Sequence, residues 1–195
     1  MNDILKNLMQ DALVGKISKT LGADTDKTKS AMEGILPAIL GGLAKNSAKK
    51  EKADLLEKVL QRDHDGSIFD NLDGFLGDIK SGKGDKILGH VLGNKSSLLA
   101  DMIGQKTGLG KEKTGKLMET LAPLVMGAVG KETKEKGLNV KNLGSLLQDT
   151  VKKFAGNDDL KKLAFSLLDK DGDGDIKDDL LDMGKNLLTN FFKKK

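Results

Sequence analysis

Apolar residues recur every three or four positions along almost the whole chain, the spacing that gathers them on one face of an α-helix. Ile4, Leu5, Leu8, Met9, Ala12, Leu13, Ile17 and Leu21 make one such stripe near the start. No segment alternates as a half-buried strand does. A second helix is predicted to begin after Gly22, where Asp24 or Thr25 can cap the free amides, and to run towards Lys45. A later one is predicted from about Gly110 to Lys131. The pattern therefore predicts an all-α protein, a multi-helix bundle.

Both long helical patterns hold a proline well inside them, and Pro37 and Pro123 are the only two in the chain. A shift of 86 residues, the distance between them, lays residues 17–52 over 103–138 without a gap, with ten identities in 36 pairs. Among these are Ile17/Ile103, Gly22/Gly108, Lys27/Lys113, Thr28/Thr114 and Met32/Met118. Such spacing marks an internal duplication. A proline in a helix interior costs about 3 kcal/mol, so a kink or a restart is expected at both. Around them the sequence is apolar on every side: Ile35-Leu-Pro-Ala-Ile-Leu-Gly-Gly-Leu-Ala44 matches Leu121-Ala-Pro-Leu-Val-Met-Gly-Ala-Val-Gly130. A helix without a polar face belongs in the middle of a bundle. Each half thus carries a proline-bent buried central helix, with Gly41, Gly42, Gly127 and Ala128 allowing close helix approach.

Asp78-Ile-Lys-Ser-Gly-Lys-Gly-Asp85 reads as a turn or short linker, and Lys131 to Leu138 as a second polar loop. Repeat unit 1 then covers about 1–82 and unit 2 about 87–195, within a single domain spanning 1–195. Gly156-Asn-Asp-Asp159 can cap a helix through Leu168.

Composition narrows the possible functions. The charge is 33 basic against 29 acidic residues, and Arg62 is the only arginine. With no Trp or Tyr, the chain lacks the forks and stacking rings that read nucleic-acid bases, so no nucleic-acid partner is expected. The absence of cysteine rules out disulfides and thiolate chemistry. The start of the chain has no basic region followed by an apolar run, and its longest apolar stretches are about half a membrane span. The expectation is a cytoplasmic protein that is not integral to a membrane.

The strongest chemical signal is Asp169-Lys-Asp-Gly-Asp-Gly-Asp-Ile-Lys-Asp-Asp179, between two helical stripes. It resembles the calcium loop of an EF-hand at 169–180. Calcium takes several hard oxygens around a tight turn, and Asp169, Asp171 and Asp173 stand at loop positions 1, 3 and 5, with Gly174 at position 6. The Asp175 carbonyl supplies position 7. At position 12 Leu180 replaces the bidentate glutamate, so Asp178 or Asp179 must close the shell. The plainer alternative is that these aspartates form turns and cap the following helix. Asp63-His-Asp-Gly-Ser-Ile-Phe-Asp-Asn-Leu72 overlays 171–180 at a shift of 108. It carries fewer carboxylates and reads as a helix-capping turn. His64 is expected to be solvated, and His90 packed or hydrogen-bonded. Gly77 to Gly84 nearly spells a phosphate loop but lacks the required hydroxyl after its lysine.

Together, 63–72, Gly84-Asp-Lys-Ile-Leu-Gly-His-Val-Leu-Gly93 and 121–130 resemble the YidB-like bacterial family, a domain of unknown function, up to about Gln148. The resemblance implies an all-helical fold and brings no accepted activity or functional residues. With no nucleophile, acid/base pair or cofactor loop in view, the expected function is a non-enzymatic helical binding or assembly module. Calcium would stabilise it, and an unknown protein or a second copy would be its partner. The alternative is a membrane-surface or envelope-associated protein using the C-terminal amphipathic helix, whose Phe191-Phe-Lys-Lys-Lys195 end suits an anionic surface.

Overall fold

The computed structural model of the protein describes residues 3–47, 50–78 and 83–154, and every regular element among them is a helix. In order these are α1 (Asp3–Leu8), α2 (Asp11–Leu21), α3 (Thr25–Ser47) and α4 (Lys50–Asp63), then a 3₁₀ turn (Ser67–Phe69) and α5 (Leu72–Gly77). After them come α6 (Lys83–Val91), α7 (Lys95–Thr107), α8 (Lys111–Glu135) and α9 (Val140–Phe154). The apolar stripe at the start is two helices, because the chain turns at Met9 and Gln10, whose carbonyl begins α2 by accepting from the amides of Leu13 and Val14.

The two long helices form the centre. Residues 34–40 of α3 and 120–130 of α8 are buried without a break, as expected for helices apolar on all sides. Each runs through its proline as one helix, so the expected restart does not occur. Asp24 caps α3, its Oδ1 accepting from the Lys27 amide at 2.9 Å. The predicted polar loop at Lys131–Leu138 is mostly helix: α8 continues to Glu135, with Glu132 and Thr133 buried.

Positions paired by the 86-residue shift behave alike. Gly22 and Gly108 end α2 and α7 in the left-handed region, at φ 57° and 67°, where a side chain would strain the backbone. Thr28 and Thr114 are fully buried, and each hydroxyl bonds the carbonyl four residues back, Asp24 at 2.7 Å and Gly110 at 2.8 Å. Ile17 and Ile103 are both wholly buried. α2 folds back on α3, and α7 on α8. Of the helices that follow, α4 packs on both α3 and α8 and α9 packs on α3, while α1 lies on α8 and α6 touches both α3 and α8.

Gly84, expected in the connector, lies inside α6 and is buried. A Cβ there would overlap the carbonyl of Glu119 on α8. Gly42, by contrast, meets the backbone as foreseen: a Cβ would stand 2.6 Å from the Val91 carbonyl oxygen.

Candidate functional site

Asp169, Asp171, Asp173, Asp175 and Asp179 lie outside the described residues, so the candidate calcium loop is known here only from its sequence. Its first-unit counterpart is described. After α4, the chain turns through Asp63 to Gly66, the last at φ 99°, into the 3₁₀ turn. The Arg62 guanidinium grips the Asp63 carboxylate with two bonds, of 2.8 and 2.6 Å, and holds its pKa down. Asp65 Oδ1 accepts from the Ser67 amide at 3.1 Å, and Lys134 Nζ stands 3.6 Å from its other oxygen. These contacts, with the Ser67 amide first, hold the Asp65 carboxyl below its ordinary range. The two carboxylates at loop positions 3 and 5 are thus committed to protein cations and a backbone amide, which is the behaviour of a capping turn.

The turn docks on α8 through glycines. A Cβ on Gly127 would come 2.5 Å from Ile68 Cγ2, and one on Gly130 would overlap the His64 carbonyl oxygen. His64 is therefore not the solvated residue expected; it is partly buried, and burial pushes its pKa down. His90 departs from expectation in the other direction. Its side chain is exposed on α6, and only its carbonyl is engaged, by the Asn46 amide at 3.0 Å.

Several concavities flank α8. A cleft of about 560 Å³ opens between α6, α7 and α8, with Asp85 and Glu119 on its wall beside the Ser96 and Ser97 hydroxyls. Burial first, and then the nearby Asp85 charge, push the Glu119 pKa up. Lys116 of the same cleft is held by Glu112 at 2.7 Å. The second cavity, of about 470 Å³, lies between the end of α1, the start of α2, the 3₁₀ turn and the end of α8. Glu132 lines it, 5% exposed, bonded through Oε1 to Lys136 Nζ. Nothing in the residue pattern had singled out Glu132, because the glycine at 130 and the charges after it read as a loop. The signal was the Glu132–Lys136 spacing of four with Val129 and Thr133 continuing the stripe.

Among the described residues, no group of three or more carboxylates or histidines is placed to hold a metal ion, and no helix is long and apolar enough to cross a membrane. No curated protein and no solved structure matches the chain. A family model does: residues 3–132, from α1 to the last turn of α8, fit the family described as bacterial protein of unknown function (DUF937), in keeping with the YidB-like resemblance, and the chain belongs to that family.

Proposed function

We propose that the protein is a non-enzymatic helical binding or assembly module, built from two copies of one unit and stabilised by calcium at its C-terminal aspartate loop. Reciprocal contacts support the duplication. Lys113 Nζ donates to the Gly22 carbonyl at 2.6 Å, and Lys27 Nζ stands 3.6 Å from where a Gly108 Cβ would be. Because Lys27 pairs with Lys113 and Gly22 with Gly108 in the 86-residue register, the two contacts exchange partners as two copies related by a local twofold axis would. On this reading, Pro37 and Pro123 bend equivalent central helices at equivalent places.

The observation that carries the calcium assignment is a difference between the two turns. In the first, Asp63 and Asp65 have Arg62 and Lys134 as counter-charges. The second stretch has six aspartates between positions 169 and 179, with Lys170 and Lys177 as the cations within that run of sequence. Carboxylates so dense repel one another unless a cation joins them. Asp169, Asp171 and Asp173 would then bind through side chains, Asp175 through its carbonyl, and Asp179 or Asp178 would complete the shell. Titration calorimetry of the full chain with calcium tests the assignment. Heat of binding and a higher melting temperature, both lost in Asp171→Asn/Asp173→Asn, are expected; no heat and an unchanged melting temperature at millimolar calcium would remove the metal.

A further inference from the structure

The cavity beside the end of α8 holds a carboxylate where helix physics disfavours one. Glu132 is buried, and burying a charge costs several kcal/mol unless it is well paired. It also lies in the last turn of its helix, at the negative end of the peptide dipoles. Lys136, itself half exposed, is its side-chain partner among the described residues, and the bond between them is made at Oε1. No fully occluded side-chain oxygen or nitrogen among those residues lacks a partner, so Oε2 is reached from the cavity. An ionised carboxylate has room for about four donors. The residue paired with it in the first unit is Asn46, which is neutral and is spent on the His90 carbonyl. The scaffold therefore does not itself call for a charge at this position.

The rest of the cavity is divided by chemistry. Leu13, Phe69 and Leu72 form an apolar wall, while Lys6 and Lys131 place ammonium groups on the side open to water. Glu135 also lines the cavity and stands 4.0 Å from Lys131, an exposed pair at the outer limit of an ion pair, so Lys131 stays open to a closer carboxylate. A simple amine would meet two lysines, and a simple anion would meet Glu132. A ligand with both charges and an apolar body meets neither objection, and a volume of about 470 Å³ falls in the range of small-molecule sites.

We propose that this cavity binds a small zwitterion, an amino acid or dipeptide with apolar side chains. Its ammonium donates to Glu132 Oε2, its apolar body lies against Leu13, Phe69 and Leu72, and its carboxylate faces Lys6 and Lys131. The proposal names the ligand class of the binding module, and its use of Asn46 rests on the duplication. All the residues it uses except Glu135 and Lys136 lie within the segment the family model matches.

Calorimetry of the full chain in EDTA keeps the test apart from the calcium assignment. The probes are L-leucine and L-leucyl-L-leucine, with isoamylamine and isovalerate as single-charge decoys. One of the two zwitterions is expected to bind at least ten times more tightly than either decoy. Glu132→Gln should weaken it at least tenfold, and Lys6→Ala/Lys131→Ala by a similar factor, with helical content unchanged by circular dichroism. Phe69 ring resonances should shift on titration. Absence of heat from both zwitterions, equal binding of isoamylamine, or undiminished binding by Glu132→Gln overturns the proposal. Any of these results leaves calcium binding and the module reading standing on their own test.

Discussion

The backbone of Gly84 lies against the carbonyl of Glu119, closer than any side chain would permit. Glu119 is four residues before Pro123, and proline has no N–H, so in the interior of α8 this carbonyl lacks its helical donor. The freed carbonyl needs no room for a helical N–H, and α6 meets it with a residue that has nothing to collide. The proline that frees this carbonyl and the glycine that seats α6 are two sides of one contact.

Gly84→Ala should therefore destabilise the protein by about 3 kcal/mol, since a Cβ would overlap the Glu119 carbonyl and stand 2.8 Å from its Cα. A Cβ on Gly89, in the same helix, would meet no atom within 4 Å. Gly89→Ala should stabilise by about 0.5–1 kcal/mol through helix propensity alone. Urea unfolding of both variants checks the pair. Equal effects would mean that α6 is not seated on α8 as described.

The docking of the Asp63–Gly66 turn on α8 gives a parallel comparison. Gly130→Ala forces a methyl into the His64 carbonyl and should cost about 2 kcal/mol or more, because the neighbour is backbone and cannot swing aside. Gly115→Ala, earlier in α8 and with open space around it, should gain up to about 1 kcal/mol. Hydrogen exchange adds a second readout: in Gly130→Ala the amides of Phe69 and Asp70, which close the 3₁₀ turn, should lose protection first.

These glycines show how much of the fold the residues disclosed. The all-helical class, the buried centres of α3 and α8 and the capping role of Asp24 follow from periodicity and local chemistry, which act over a few residues. Gly84, Gly130 and Glu132 could not be placed in that way. Each owes its role to an element distant in sequence: Gly84 to α8, Gly130 to the turn after α4, and Glu132 to the cavity closed by α1 and α2. Gly84 sits among Lys-Ser-Gly-Lys, so composition marks it as linker; only the partner helix makes it a contact. The aspartates at 169–179 are legible as a ligand pattern in the sequence and lie outside the described residues.

Glu119 provides a pH-dependent test. Its native pKa is raised above the ordinary 4.5 by burial and by Asp85. Ionised Glu119 thus costs stability at neutral pH, and that cost is relieved as pH falls through the native pKa towards 4.5. Glu119→Gln should be more stable than the parent at pH 7, with the advantage vanishing by pH 4. Asp85→Asn should give a smaller gain of the same sign. A Glu119→Gln variant less stable than the parent at pH 7 would show that the carboxylate has a favourable partner.

His64 titrates with the opposite consequence. Burial lowers its native pKa below 6.5, although the neighbouring Asp63 charge works against this. Below pH 6.5 the unfolded chain takes up a proton that the native imidazole still refuses. Stability contributed by His64 is therefore intact above 6.5 and is lost as pH falls from there to the native pKa, below which the loss stops growing. The slope for one proton is at most about 1.4 kcal/mol per pH unit. His64→Gln should remove that slope between pH 7 and 5.5, so the parent's stability falls relative to the variant's across this window. Taking the difference between the two proteins cancels Glu119 and the other carboxylates, which titrate in both. Denaturation midpoints that run parallel for parent and variant over this range would mean that the imidazole is as free to protonate in the fold as out of it, and that the turn does not bury it against α8.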